Sequence, residues 1–234
     1  SGGTDIVSCF VLGNLYQPVI LGEIQKKGLG MNVDVFNEKG ESLKNKKGEL
    51  VCKNPFPSMP LKFWNDKNDI KYKKAYFNNF LNTWYHGDYA EIKKGGGFII
   101  HGRSDTTLNP GGVRLGTAEI YSEVEKFVEI KESIVVGQAW DNDVRIILFI
   151  VLNSKYVVNE DLLKKIRMQI RNNASPRHVP SKIIVVGDIP RTKNGKIVEL
   201  AVKNTIEGNK IKNKEALANP RVLDQYKNLK ELNY

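Results

Sequence analysis

Apolar and polar residues alternate early in the chain and fall into longer repeats later. Met31, Val33 and Val35 recur with a period of two, which predicts a strand. Asn37-Glu38-Lys39-Gly40 supplies a turn, and residues 49–52 form a second apolar strand. Pro55, Pro57 and Pro60 mark a loop. Between 61 and 82, Phe63, Trp64, Tyr72, Tyr76, Phe77 and Phe80 stand among Lys and Asn at partly helical spacing. After Trp84-Tyr85-His86-Gly87-Asp88, a hairpin turning at 93–97 leads into Phe98-Ile99-Ile100. Residues 1–102 therefore read as β-rich.

The pattern changes after residue 103. A helix is predicted over 117–130, capped by Thr117, with Ile120, Val124, Phe127 and Val128 on one face. Residues 133–138 and 145–152 are apolar, β-branched strands. Asn159 caps a second helix, with Glu160 and Asp161 in its first turn and Leu162, Leu163, Ile166 and Ile170 as its core stripe. Pro176 and Pro180 close that unit. A strand at 181–186, a polar loop at 190–196, and helices at 197–206 and 222–232 follow. Alternating strands and helices imply a small α+β or α/β domain, with its boundary near 103–106.

Composition narrows the class. With 41% hydrophobic and 26% charged residues, the chain is neither wholly disordered nor collagen-like. No apolar run approaches the ~18–20 residues of a membrane span. Cys9 and Cys52 are too few for a disulfide scaffold and lack metal-ligand spacing, so a cytoplasmic location is expected. The net charge of +10 comes mostly from Lys scattered through Asn-rich stretches such as 44–47 and 209–214. A nucleic-acid face would concentrate Arg and exposed aromatics in one stripe, so a solvated surface is expected and no nucleic-acid partner. The chain opens on a glycine-rich polar run without Met and is expected to be part of a longer protein.

Four loops carry residues able to do chemistry. In Gly2-Gly3-Thr4-Asp5, glycines let the backbone approach a phosphate, the hydroxyl can bond it, and the carboxylate can hold Mg²⁺; a plain turn reads equally well. Asp88 could accept both hydroxyls of a ribose, or be a solvated turn residue. Arg103 and Arg114 flank Asn109-Pro110-Gly111-Gly112, which is either a ribose- and phosphate-binding cluster or a hairpin with surface arginines. Lys196 ends Pro190-Arg191-Thr192-Lys193-Asn194-Gly195-Lys196, and Asn194-Gly195 is a turn signal by itself.

The order of these pieces resembles the C-terminal part of the adenylate-forming superfamily of acyl-CoA synthetases, peptide-synthetase adenylation domains and firefly luciferase. The residues are Ser-Gly-Gly-Thr-Asp, Trp-Tyr-His-Gly-Asp, Gly-Arg-Ser-Asp with Gly-Gly-Val-Arg-Leu-Gly-Thr-Ala-Glu-Ile, and Pro-Arg-Thr-Lys-Asn-Gly-Lys. Residues 103–121, 196–204 and 216–220 carry a closer likeness to the acetoacetyl-CoA synthetases. The resemblance implies that 1–102 is the β-rich end of a large domain, 103–107 a hinge, and 108–234 a small mobile α+β domain. It implies ligation of acetoacetate to coenzyme A through an acyl-adenylate; another acyl-CoA synthetase or a carrier-loading adenylation domain is the alternative.

It also implies roles for single residues. Gly2, Gly3, Thr4, Asp5, Asp88, Ile100 and Arg103 would bind ATP or AMP, with Asp5 on Mg²⁺. Lys196 and Arg114 would be catalytic, Asp105 the hinge, and Gly112 and Arg171 contacts for coenzyme A. Acetylation and deacetylation of Lys196 would switch the first half-reaction. Acetate-activating members carry a Trp where Gly2 stands, so its loss implies room for a longer acyl chain. The family's upstream phosphate loop is not in the sequence, which implies that this chain alone does not catalyse adenylation.

Overall fold

The computed structural model describes residues 1–211 and 214–233 and divides the chain into two compact units, Ser1–Ser104 and Asp105–Tyr234. Two residues of the Lys-rich stretch 209–214, at 212 and 213, lie outside the described residues.

The first unit opens with short antiparallel pairs, β1 (Gly2–Gly3) with β2 (Ser8–Cys9) and β3 (Val11–Leu12) with β4 (Lys26–Lys27). Its main sheet is a four-stranded antiparallel meander of β5 (Val33–Phe36), β6 (Lys47–Cys52), β7 (Trp84–Ile92) and β8 (Phe98–Arg103). Helix α1 (Ile70–Tyr76) lies between β6 and β7 in sequence and stacks the Tyr76 ring on Trp84 at 3.7 Å. Ile6, Phe10, Val33, Val35, Leu50, Trp84 and Phe98 are all essentially inaccessible and form the core.

The second unit holds a three-stranded mixed sheet in the order β11 (Lys182–Val185), β10 (Asp143–Leu152), β9 (Ile130–Trp140). β9 and β10 form an antiparallel hairpin through Asp141 and Asn142, both in the left-handed region. β10 and β11 are parallel, which requires a crossover, supplied by α3 (Glu160–Asn173). Ile146, Leu148 and Ile150 of β10 pack with α2 (Ala118–Val124) and α3, while Ile147, Phe149 and Val151 pack with α4 (Glu199–Ile206) and the C-terminal turns. An uninterrupted apolar run is what a strand covered on both faces requires.

The side chain of Asn159 accepts from the Leu162 amide at 2.8 Å, so it caps α3. Two expectations are corrected. The helix predicted over 117–130 ends at Val124; Val128 is 70% exposed, and Thr117, already in helical conformation, makes no side-chain cap bond. The helix predicted over 222–232 is instead two 3-10 stretches, Pro220–Tyr226 and Lys230–Leu232. Asn228 is left-handed between them and interrupts the helix.

Candidate active site

The site of the first unit is built where β1, β7 and β8 meet. Ile6 and Phe10 are buried, and they pin the loop between β1 and β2 so that Thr4 and Asp5 stand exposed at its tip. Gly2 pairs with Cys9, and a β-carbon there would come within 2.2 Å of the Ser8 carbonyl oxygen. Position 2 is thus bare for a backbone reason.

The β7–β8 register sets Asp88 opposite Arg103. One carboxylate oxygen of Asp88 accepts from Arg103 Nη1 at 3.0 Å and the other from the Ser1 hydroxyl at 2.6 Å. Arg103 Nη1 also donates to the His86 carbonyl at 3.2 Å. Gly87 makes the pair possible: its φ is +79°, and a β-carbon would meet Arg103 Nη2 at 2.8 Å. Asp88 is therefore not a solvated turn residue but a nearly buried one, 8% exposed, in the middle of a strand. Ile100 is half-buried on β8, three residues before Arg103.

Sequence reasoning missed two neighbours. The buried His86 has Nε2 3.7 Å from Asp88, and burial pushes its pKa below the usual histidine value. Tyr76 donates its hydroxyl to Asp5 Oδ2 at 2.9 Å, and burial and this carboxylate push its phenol pKa up. His86 sits inside a motif already read for Asp88, so adjacency could have found it. Nothing in the spacing of Tyr76 links it to Asp5.

In the second unit, Leu108 and Leu115 bridge a tight hairpin whose tip is the 3-10 turn Pro110–Gly112. Asp143 accepts from the Gly111 amide at 2.9 Å, Gly112 is exposed with φ +72°, and Arg114 Nε donates to Thr107 Oγ1 at 3.2 Å. Asp105 lies in the 3-10 turn Ser104–Thr106. Lys196 stands exposed on the separate 190–198 loop, and Arg171 is exposed in the last turn of α3. The hairpin thus groups Gly112 with Arg114, while Lys196 and Arg171 stand on two other elements. Among the described residues no cluster of three His, Cys, Asp or Glu side chains could cage a metal ion, and no helix is long and apolar enough to cross a membrane.

The chain resembles known proteins in sequence and fold. The family model of the AMP-binding enzyme C-terminal domain matches residues 119–196. That match lies within the second unit, and the fold of almost the whole chain is similar to a stretch of a solved synthetase. It is 59% identical over 232 residues to the acetoacetyl-coenzyme A synthetase of Rhizobium meliloti (strain 1021), covering 99% of this chain and 36% of the relative. It is 50% identical to the acetoacetyl-CoA synthetase of Xenopus tropicalis over 99% of this chain and 35% of that one. The solved acetoacetyl-CoA synthetase from Streptomyces lividans superposes with a TM-score of 0.90 at 40% identity, over 96% of this chain and 34% of that chain. The chain thus spans about a third of the length of the relatives it matches.

Proposed function

We propose that the chain is the C-terminal part of an acid–CoA ligase that converts acetoacetate, ATP and coenzyme A to acetoacetyl-CoA, AMP and diphosphate. The 59% identity to an acetoacetyl-coenzyme A synthetase along 99% of the chain carries this reading. In the first step an acetoacetate carboxylate oxygen attacks the α-phosphorus of ATP, and the bond to the β-phosphate breaks. In the second, the thiol sulfur of coenzyme A attacks the acyl carbon, AMP leaves, and the thiol proton is released.

Asp88 takes the ribose. A carboxylate offers about four acceptor positions; one oxygen accepts from Arg103 and the other from Ser1, and each oxygen has a second lone pair with which to accept a ribose hydroxyl. Arg103 holds that carboxylate against rotation. The half-buried Ile100 offers an apolar surface to adenine. The Thr4 hydroxyl and the backbone of Gly2 and Gly3 meet the α-phosphate. Lys196 bridges the acid and the α-phosphate, offsetting charge that develops as the P–O bond forms, and Arg114 orients the loaded site.

The exposed Asp5 is a single carboxylate, which suits a Mg²⁺ that keeps water and phosphate oxygens as most of its ligands. Bound Mg²⁺ supplies charge neutralisation on the phosphates. Asp105 is the hinge between the half-reactions. Gly112, without a side chain, admits the pantetheine, and Arg171 meets the coenzyme A nucleotide. The exposed Lys196 is open to an acetyltransferase and a deacetylase, which would remove and restore its charge. The cytoplasm is the proposed location.

The test is acetoacetate-dependent ATP–pyrophosphate exchange by the complete polypeptide, followed by thioester formation on adding coenzyme A. Exchange supported by other acids but not acetoacetate refutes the substrate. Lys196→Gln should abolish exchange and spare thioester formation from preformed acyl-adenylate; intact exchange refutes the role of Lys196.

A further inference from the structure

The 190–198 loop is held by its own turn, by backbone contacts to 216–218, including the Lys193 amide donating to the Ala216 carbonyl at 3.2 Å, and by one guanidinium. The turn is a small hairpin with a bridge between Arg191 and Ile197. The Thr192 amide donates to the Lys196 carbonyl at 2.8 Å, and the Gly195 amide donates to the Thr192 carbonyl at 2.8 Å. Residues 193–197 are exposed, so water competes for the Gly195 amide and the Lys196 carbonyl, and the tip of the loop is open to fraying.

Arg191 ties this hairpin to the body of the unit. Its backbone amide donates to Asn219 Oδ1 at 2.9 Å, and its carbonyl accepts from the Ala218 amide at 2.8 Å. Its half-buried side chain points one arm, Nη2, at Glu132 of β9 at 2.7 Å. The other arm, Nη1, donates to the Gly195 carbonyl at 2.9 Å. That oxygen belongs to the peptide joining Gly195 to Lys196, whose other end, the Lys196 amide, donates to Thr192 Oγ1 at 3.1 Å. The plane is thus gripped at both ends. Turning it would swing the Cα of Lys196 and displace the ammonium at the end of its long stem.

We propose that Arg191, backed by Glu132, is a positioning residue that presets Lys196 for the adenylation half-reaction; the inference rests on the reading of Lys196 as the cation of that step. Two nitrogens of one rigid, planar, permanently charged fork serve the two acceptors, a span that the compact ammonium of a lysine does not match. A lysine at 191 reaches one of them. A misplacement of about 1 Å can cost about a hundredfold in rate. A lysine whose backbone is fixed beforehand also loses less freedom on reaching the phosphate.

The experiment uses the complete polypeptide and measures the two half-reactions separately. Arg191→Ala should lower kcat for ATP–pyrophosphate exchange about tenfold or more, with KM for ATP changed less than about twofold, because the proposed ribose and adenine contacts, Asp88, Arg103 and Ile100, are untouched. Thioester formation from preformed acyl-adenylate should stay within about twofold. Arg191→Lys should not rescue exchange, and Glu132→Gln should lower it about threefold. In a Lys196→Ala background Arg191→Ala should add nothing, since it acts only through Lys196.

Unchanged exchange in Arg191→Ala, equal loss in both half-reactions, or an additive loss in the double variant would each overturn the proposal. If Arg191→Ala does not fold, Arg191→Lys and Glu132→Gln decide by the same split. Lys196→Ala separates the two readings. Intact exchange in that variant sinks the role of Lys196 itself, whereas lost exchange there with normal exchange in Arg191→Ala sinks only the positioning role.

Discussion

Asp88 and Arg103 show what single residues add to a motif. Each is common in surface turns, and their value comes from the register that sets them opposite one another. Asp88→Ala removes a charged acceptor from both the ribose and Arg103. It should raise KM for ATP about tenfold to a hundredfold, measured as exchange rate against ATP concentration in the complete polypeptide. His86, behind this carboxylate, gives a pH signature. Burial holds its folded pKa below the unfolded value of about 6.5. The folded state then binds fewer protons than the unfolded one, so stability is full above that value and falls as pH drops towards the folded pKa. Urea midpoints at pH 7.5 and 5.5 should show this loss, and His86→Gln should shrink it; an equal loss in both proteins would refute the assignment. The resemblance put Asp88 and Arg103 at one ribose, but neither the register that pairs them nor His86 behind them was legible from the pattern. His86, Asp88 and Glu91 put buried polar groups in β7, which hides it from an alternation test.

Elements whose pattern and caps agree were readable. Asn159, two acids and the 162–166–170 stripe all pointed to α3, and its cap bond is present. Asn159→Ala should therefore lower the stability of the second unit by about 1 kcal/mol, read from its urea midpoint, and leave both half-reactions unchanged. The C-terminal helix misled because Val222, Leu223, Tyr226, Leu229 and Leu232 recur at near-helical spacing; they do face a core, but as successive 3-10 turns around Asn228. The β1–β2 pair carries the other lesson. Gly2 reads from resemblance as a widened acyl pocket, yet the Ser8 carbonyl leaves no room for any side chain on this backbone. Gly2→Trp should consequently disturb β1–β2 and weaken nucleotide binding as well as change acid selectivity. A variant that prefers acetate with its KM for ATP unchanged would contradict that.

At the scale of the molecule, each unit owns its hydrophobic clusters. The core around Phe10, Trp84 and Phe98 lies wholly within the first unit, and the two clusters on either face of β10 lie wholly within the second. A unit that buries its own core on both sides of a sheet has what autonomous folding requires. Residues 105–234 expressed alone should accordingly fold cooperatively, with a single urea transition and far-UV circular dichroism of a mixed α/β protein. Chemistry should not follow folding. The candidate ribose and α-phosphate ligands stand on the first unit and Lys196 on the second, so neither unit holds the full set. The 234-residue chain has both, but spans only about a third of its relatives. It should release no pyrophosphate from ATP and acetoacetate, while the complete polypeptide does. If the short chain did turn over, the phosphate loop that the resemblance puts upstream of these residues would not be needed, and its work would have to be sought among these residues instead.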